Sequence, residues 1–412
     1  FGMNNRRQFI STASAAALAG HLRAESRPGQ KLRVGIMGLS RGKAHINNFA
    51  KLEGVEIAYV CDVDQSRLAA GAKYTADRQK GNLPKAVTDF RRILEDKEVD
   101  ILSVAAPNFW HAPATILACD AGKHVYVEKP GSHNPREAEL MVAAAQRTDR
   151  KVQMGNQRRS APAFREGIEK LKTGVIGKLR YARCWYDNKR DSIGKGKPAV
   201  VPENLDYKLW QGPVPARPYK DNLIHYNWHW HWAYGGGELA NNGVHALDIA
   251  RWALGVDSPH NTSCIGGRYH FNDDQETPDT ADATYDFGKV GMSWHGSSCL
   301  QRKQEKHPFV SVYGDGGIMS FDSGGYRIYD NAGKLVHENV PKLNDVLHFQ
   351  NFINAIRKGE ALNAEISDAQ KSTMLCHLGN ISYREGIQIK GSDVPKKYWQ
   401  REYSDAWKPA GI

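Results

Sequence analysis

The sequence predicts an α/β chain with an N-terminal doubly wound parallel sheet followed by a second α/β unit. Three observations carry this prediction. A short apolar run, Leu32–Met37, meets glycines and then a helix-like stretch; strand-like and helix-like segments alternate from there to residue 154; and 412 residues exceed one compact core. Residues 1–30 fall outside the pattern, 31–155 form the first unit and 156–412 the second.

Leu32–Met37 reads as a buried strand, and Gly35, Gly38 and Gly42 lead into a helix from residue 43. That order lets a backbone approach a pyrophosphate closely and rest it on a helix N-terminus. The copy is imperfect. Gly38-Leu39-Ser40-Arg41-Gly42 places Ser40 at the second glycine of G-x-G-x-x-G and reaches Gly42 one residue early, so an ordinary turn would read the same way. Context favours the dinucleotide reading, because a second strand, Val55–Cys61, ends at Asp62, 24 positions after Gly38, where a ribose-binding carboxylate belongs. Asp62 would accept from both ribose hydroxyls and repel a 2′-phosphate. Val63-Asp64 brings no arginine to rescue one, so NAD is expected rather than NADP.

The rhythm continues with a helix over 90–96, a strand over 101–106, a helix over 112–121, a strand at His124–Val127, a helix over 136–148 and a strand over 151–154. Pro107-Asn108 and Glu128-Lys129-Pro130 fall just past strand carboxyl ends, where open α/β sheets bind ligands. The expected cofactor contacts are therefore Gly35, Gly38, Ser40, Arg41, Gly42, Asp62, Pro107, Asn108, His111, Glu128 and Lys129.

From residue 30 onward the chain resembles the glucose-fructose oxidoreductase / inositol dehydrogenase / rhizopine-catabolism (Gfo/Idh/MocA) family. The resemblance rests on Pro107-Asn108-Phe109-Trp110-His111, on Glu128-Lys129-Pro130 and on the glycine-led stretch 235–248. It implies a second α/β domain with a large open, mainly antiparallel sheet whose far face forms an oligomer contact, giving a homo-oligomer, dimer or tetramer. Residues 178–187, 262–271, 281–299 and 308–329 do read as strands, and helices over 345–357 and 367–384 would pack back on the body.

In that family the lysine of the E-K-P segment contacts the reacting hydroxyl, a role carried here onto Lys129. A cation between cofactor and apolar strand ends has its pKa lowered, which suits proton transfer. Pro130 is a candidate cis proline. The family's D-x-x-x-H centre maps onto Asn241 and His245, so the aspartate is replaced. Four-residue spacing keeps both on one helical face, and an amide supports an imidazolium less than a carboxylate does, so His245 should have a less elevated pKa. Asp248 is expected to brace the helix rather than react.

Before the glycines, histidines and tryptophans alternate over Trp228, His229, Trp230, His231 and Trp232. An extended strip would turn His229 and His231 to one face. A zinc site is one reading of these histidines, but no acidic or thiolate partner is in register, and no metal is expected. Tryptophan faces beside imidazoles suit sugars, so Tyr226, His229 and Trp230 join Asn241 and His245 as expected substrate contacts. Trp228 and Trp232 read equally as space-filling. Arg158 reads either as a substrate contact or as a surface charge, like its neighbour Arg159.

The formal net charge of +11 raises nucleic acid as a partner, but the basic residues are scattered, with no aromatic run on a basic sheet. A solvated surface or an affinity for anionic sugars explains the excess. Six separated cysteines form no C-x-x-C pair and read as buried thiols, and no apolar run reaches 18 residues, so no membrane span is expected.

Phe1-Gly2 precede Met3 and read as added residues. The run Asn5-Arg6-Arg7-Gln8-Phe9-Ile10 resembles a twin-arginine export signature, with a mildly apolar segment and Leu22-Arg23-Ala24 behind it, although a frayed basic terminus would look similar. A periplasmic location follows, where a tightly held cofactor must be restored within each cycle. The expected function is hydride transfer from a sugar or glycoside hydroxyl, such as C3 of a pyranoside, to nicotinamide. The alternative is a nicotinamide-assisted glycosidase that oxidises, eliminates, adds water and returns the hydride. A sugar-binding protein without turnover is the third class.

Overall fold

In the computed structural model, residues 31–407 are described apart from 323 and 392. The expected export signature at residues 5–10 lies outside them. The first sheet contains β1 (Leu32–Met37), β2 (Val55–Cys61), β3 (Lys85–Val87), β4 (Ile101–Val104), β5 (His124–Val127) and β6 (Val152–Met154) in the spatial order β3-β2-β1-β4-β5-β6. All its pairings are parallel. Strands such as Ile101–Val104 are buried along their whole length, as apolar runs sandwiched between helix layers must be. The order reverses between β1 and β4, which opens a crevice at their carboxyl ends.

Two apolar layers flank this sheet. One joins Phe109, Trp110 and Met141 to the strands; the other joins Ile46 and Phe49 to Phe349 and Phe352 of the late helix Val346–Lys358. The last long helix, Ile366–Glu385, reaches both the first core through Ile366 and Ala369 and the second through Leu375 and Cys376. The late helices therefore fasten the two sheets together.

The second sheet contains β7 (Leu179–Asp187), β8 (Asn261–Gly267), β9 (Thr280–Asp286), β10 (Gly291–Ser297), β11 (Val310–Gly314), β12 (Gly317–Asp322), β13 (Gly325–Tyr329), β14 (Leu335–Asn339) and β15 (Ile389–Lys390). Its order is β14-β13-β12-β11-β7-β10-β9-β8-β15, and only β7 and β10 run parallel. The helices Val244–Leu254 and Ile366–Glu385 cover one face of this sheet.

Several elements differ from the sequence reading. The helix expected over 112–121 begins at Asn108, because Pro107 supplies an extended N-terminal flank. Pro113 lies inside that helix and removes the donor that would meet the Phe109 carbonyl. Arg401 replaces it, its Nη2 donating to Phe109 O at 2.6 Å. The helix Gln65–Arg78 was not anticipated, and its few buried residues, Gly71, Ala72 and Thr75, explain the weak apolar stripe. The edge strands β3 and β14 were also missed. All six cysteines are buried and free, and among the described residues no helix is long and apolar enough to cross a membrane.

Buried histidines bind the two halves. His348 bridges Ser160 Oγ at 2.6 Å and Met154 O at 2.9 Å, and His377 meets Ser132 Oγ at 3.0 Å. Burial pulls both down to about 4. The unfolded chain takes up these protons first, below an ordinary imidazole value of about 6.5. Stability present above that value should therefore be lost as pH falls towards about 4, by on the order of 3 kcal/mol per group. Urea midpoints recorded across this window should fall with pH, and less steeply in His377→Gln; equal slopes would contradict the assignment.

Candidate active site

The crevice between β1 and β4 forms a cavity of about 420 Å³, walled by the ends of β1, β2, β4 and β5 and by residues from the second half of the chain. At its floor Gly38 has φ +89°, and a Cβ there would lie 2.6 Å from the Ala105 carbonyl oxygen. Only glycine combines that conformation with that approach. Ser40 and Arg41 line the cavity beside it. Gly35 and Gly42, expected as cofactor contacts, are not among the residues that wall it. A Cβ on Gly35 would meet Ile93 at 2.4 Å and one on Gly42 would meet Ile36 at 3.0 Å, so these glycines let the strand and first helix pack.

Asp62 faces the same space. Its carboxylate accepts from Leu39 N at 2.9 Å and from Asp64 N at 3.0 Å, and burial raises its pKa against those two bonds. Arg67 and His225 also line this end, His225 pairing with Asp64 at 3.0 Å. Neither was anticipated: Arg67 lies in the first turn of the missed helix, and His225 belongs to a loop far along the chain from Asp64.

Glu128 is buried at the end of β5. Its oxygens meet His45 Nε2 at 3.0 Å, Arg41 Nε at 2.9 Å and the Lys129 N–H at 3.2 Å. Burial opposes the charge, yet the His45 bond and the Arg41 charge hold its pKa well below the ordinary carboxylate range. Glu128 lines the cavity but is committed to these partners. His45 itself is wholly buried, with Ser103 Oγ at 2.8 Å on its other nitrogen. It carried no signal in the sequence, since a lone histidine in a short helix reads as ordinary.

Lys129, half-buried and followed by a cis peptide bond to Pro130, donates through Nζ to the Asn241 carbonyl at 2.7 Å and to Asn241 Oδ1 at 3.1 Å. Burial lowers its pKa and Glu128 counteracts this. His245 lines the cavity with them. Burial and then the Lys129 and Arg158 charges press its pKa well below the ordinary value, so the ring is neutral near pH 7. Asn241 lies in the π-helical turn Leu239–Gly243 and His245 in the α-helix that continues it.

His111 and Asn108 complete this wall. The His111 ring is set between Pro130 O at 2.6 Å and Ala106 O at 2.8 Å, and Pro107 and Asn108 line the opening. The expected extended strip is instead a 3₁₀ turn, Asn227–Trp230, so His229 and His231 do not share a face. His229 lines the cavity, stacked on Trp228 at 3.6 Å, and burial pulls its pKa down to about 3. His231 turns away to Glu276 at 3.5 Å. Tyr226 and Trp228 reach the cavity, but Trp230, expected as a substrate contact, is 2% exposed beneath the Arg190 guanidinium and lies off its wall.

Arg158 likewise lies off the cavity wall, over the Phe309 ring at 4.5 Å, and acts on the site through its charge. Arg159 forms a buried pair with Asp248, which also accepts from Ser372 Oγ. Among the described residues no three histidine, cysteine or carboxylate side chains converge as a metal site. The groups present fit a dinucleotide: the Gly38 turn and Asp62 would hold one part, while Lys129, Asn241 and His245 face another.

Sequence comparison agrees with this geometry. Residues 32–156 match the oxidoreductase family with an NAD-binding Rossmann fold (GFO_IDH_MocA), and residues 181–406 match the C-terminal α/β domain of the same family. The chain belongs to this oxidoreductase family. A relative named glycosyl hydrolase family 109 protein 1, from Shewanella sp. (strain ANA-3), is 29% identical over 162 residues, 38% of this chain and 35% of its own length. An α-N-acetylgalactosaminidase of Shewanella oneidensis is 28% identical over 160 residues, with the same coverage. The matched region thus spans about a third of these relatives. The solved levoglucosan dehydrogenase, in complex with NADH and levoglucosan, shares the fold at 18% identity and TM-score 0.68, covering 88% of this chain and 100% of that one.

Two outcomes follow for this GFO_IDH_MocA oxidoreductase. Gly38→Ala should leave the second sheet intact and weaken NAD binding by about tenfold or more, measured by calorimetry. Unchanged affinity would remove the turn from the cofactor site. Because His245 accepts protons only above its own depressed pKa, the acid limb of kcat/KM should lie below about 6.5. A limb at or above that value would exclude neutral His245 as the base.

Proposed function

We propose that this chain oxidises a hydroxyl of a sugar or glycoside, with NAD as the hydride acceptor. The observation that carries this is the convergence of Lys129 Nζ, Asn241 and His245 on one wall of the cavity that Gly38 and Asp62 close below. When bound, the nicotinamide supplies hydride acceptance. The chain supplies the rest. The Lys129 ammonium, steered by its two Asn241 acceptors, donates to the substrate oxygen as negative charge develops there, and neutral His245 takes the hydroxyl proton. Tyr226, Trp228 and His229 offer ring faces and donors to a sugar, and the aromatic wall limits water.

NAD rather than NADP is favoured by the half-buried Asp62 carboxylate, which would accept from ribose hydroxyls and repel a 2′-phosphate. Residues 5–10 support twin-arginine export to the periplasm. The second-sheet face opposite the helices, with half-buried Trp185 and His295 and exposed Arg183, supports a homo-oligomer.

A redox-neutral glycosidase is the second reading, favoured by the glycosyl hydrolase names of the relatives. In it the hydride returns to the substrate after elimination and water addition. A panel of glycosides separates the two. Stoichiometric NADH without cleavage supports net oxidation, and released aglycone without net NADH supports the glycosidase, with deuterium from solvent at C2 of the product sugar. Lys129→Met should reduce either activity by about 100-fold or more; full activity in that variant would defeat both.

A further inference from the structure

On the wall of the cofactor cavity near Lys129 stand two hydrogen-bond acceptors that the oxidation itself does not use. His229 carries the first. Its Nδ1 lies 2.6 Å from the Tyr226 carbonyl oxygen. A carbonyl only accepts, so Nδ1 holds the ring hydrogen, and burial keeps the ring's pKa down to about 3, so Nε2 stays unprotonated near pH 7. That nitrogen has no hydrogen-bond partner among the described residues and retains accessible surface. The ring is held by stacking on Trp228 at 3.6 Å, with 21° between the planes, and by the Tyr226 ring at 4.6 Å. It stands close enough for the Lys129 charge to act on it.

Asn242 carries the second. The buried Glu238 carboxylate accepts from Arg190 Nε at 2.8 Å and from Asn242 Nδ2. An amide that gives its NH2 group to a carboxylate turns its oxygen the other way, and Asn242 Oδ1 has no partner among the described residues. Both His229 and Asn242 line the cavity. Their neighbours do not duplicate this role. Trp228 Nε1 is spent on the His225 carbonyl at 2.9 Å, which leaves Trp228 its ring face. The Tyr226 hydroxyl accepts from Arg190 Nη1 at 2.8 Å, and because a guanidinium only donates, the hydroxyl's own hydrogen is left for a ligand. Beside Lys129 the wall therefore offers one free hydroxyl donor and two free acceptors.

We propose that His229 Nε2 and Asn242 Oδ1 determine specificity, each accepting from a free substrate hydroxyl other than the one oxidised. The preferred substrate is then an uncharged saccharide with at least two further free hydroxyls, and a carboxylate or sulfate at either place is rejected because it would face a lone pair. This rests on the sugar reading of the cavity. The reacting hydroxyl cannot fill either role, since its oxygen meets Lys129 and its proton passes to His245. A wall built to accept from a hydroxyl discriminates strongly against an analogue without the hydrogen, because the acceptor is left unpaired away from water.

Calorimetric titration of the NADH-loaded full chain, in which no hydroxyl can be oxidised, tests this with methyl glucopyranoside, methyl galactopyranoside and the monodeoxyfluoro analogues of each. Fluorine in place of a hydroxyl keeps the size but has no hydrogen to donate. At least one parent glycoside should bind, and fluorine at two positions besides the one oxidised should weaken it at least about tenfold. His229→Phe should remove the penalty at one of these positions and Asn242→Ala at the other. Fluorine tolerated at every position, penalties unchanged in both variants, or no binding by either parent would overturn the proposal. Nitrogen-15 NMR of histidine-labelled chain at pH 7 is a second measurement that needs no folded variant of the acceptors: Nδ1 of His229 should be protonated and Nε2 bare, and the opposite tautomer or an imidazolium would equally overturn it. Neither measurement involves turnover. Glycosides that bind with this pattern while the NAD-loaded chain forms no NADH and releases no aglycone would defeat the oxidation reading and leave the acceptor pair standing.

Discussion

A carboxylate taken out of water at the end of β5 is the constraint on which the site depends. Glu128 is 4% exposed, and a charge buried to that extent persists only when it is paired and hydrogen-bonded. Its partners come from three places: Arg41 of the glycine turn, His45 of the first helix and the N–H of Lys129. One buried charge therefore ties the turn, the helix and the backbone of the lysine to one another. The chain leaves room for it, since a Cβ on Gly155 would stand 3.3 Å from Glu128 Oε2.

The same charge balances what lies above it. Lys129 is pulled towards neutrality by burial and held towards its charged form by Glu128. At His245 burial again acts first, the cations Lys129 and Arg158 add to it, and Glu128 opposes them. The pKa of both groups is thus lowered, that of Lys129 against an adjoining anion and that of His245 with two cations added to burial.

Much of the first domain was legible because local signals and packing agreed there. The runs Leu32–Met37, Val55–Cys61 and His124–Val127 are apolar and buried, and Asp62 and Lys129 stand at strand ends, so position along the chain already implied position in the crevice. The readings that failed were those where tertiary contact overruled a local pattern. Period two over Trp228–Trp232 implied a strand, but Trp228 stacks on His229 in a 3₁₀ turn and Trp230 is buried under Arg190. A Cβ on Gly35 or Gly42 would meet Ile93 or Ile36, a packing role that spacing does not encode. Arg190 and Glu238 were missed for the same reason, since 48 positions separate the members of the pair.

That pair explains how the site works without the aspartate its family resemblance leads one to expect at position 241. Asn241 presents Oδ1 to Lys129 Nζ at 3.1 Å while its Nδ2 lies 3.5 Å from Glu238 Oε1. An amide accepts on one side and donates on the other; an ionised carboxylate only accepts and would face Glu238 as a like charge. A negative charge stands about one helical turn back at Glu238, which is 3% exposed and paired with Arg190 at 2.8 Å. Lys129 keeps its acceptors under this arrangement, but His245 loses an anion at its side. An imidazole without one binds a proton less firmly, so in the proposed oxidation His245 would readily pass on the proton it accepts.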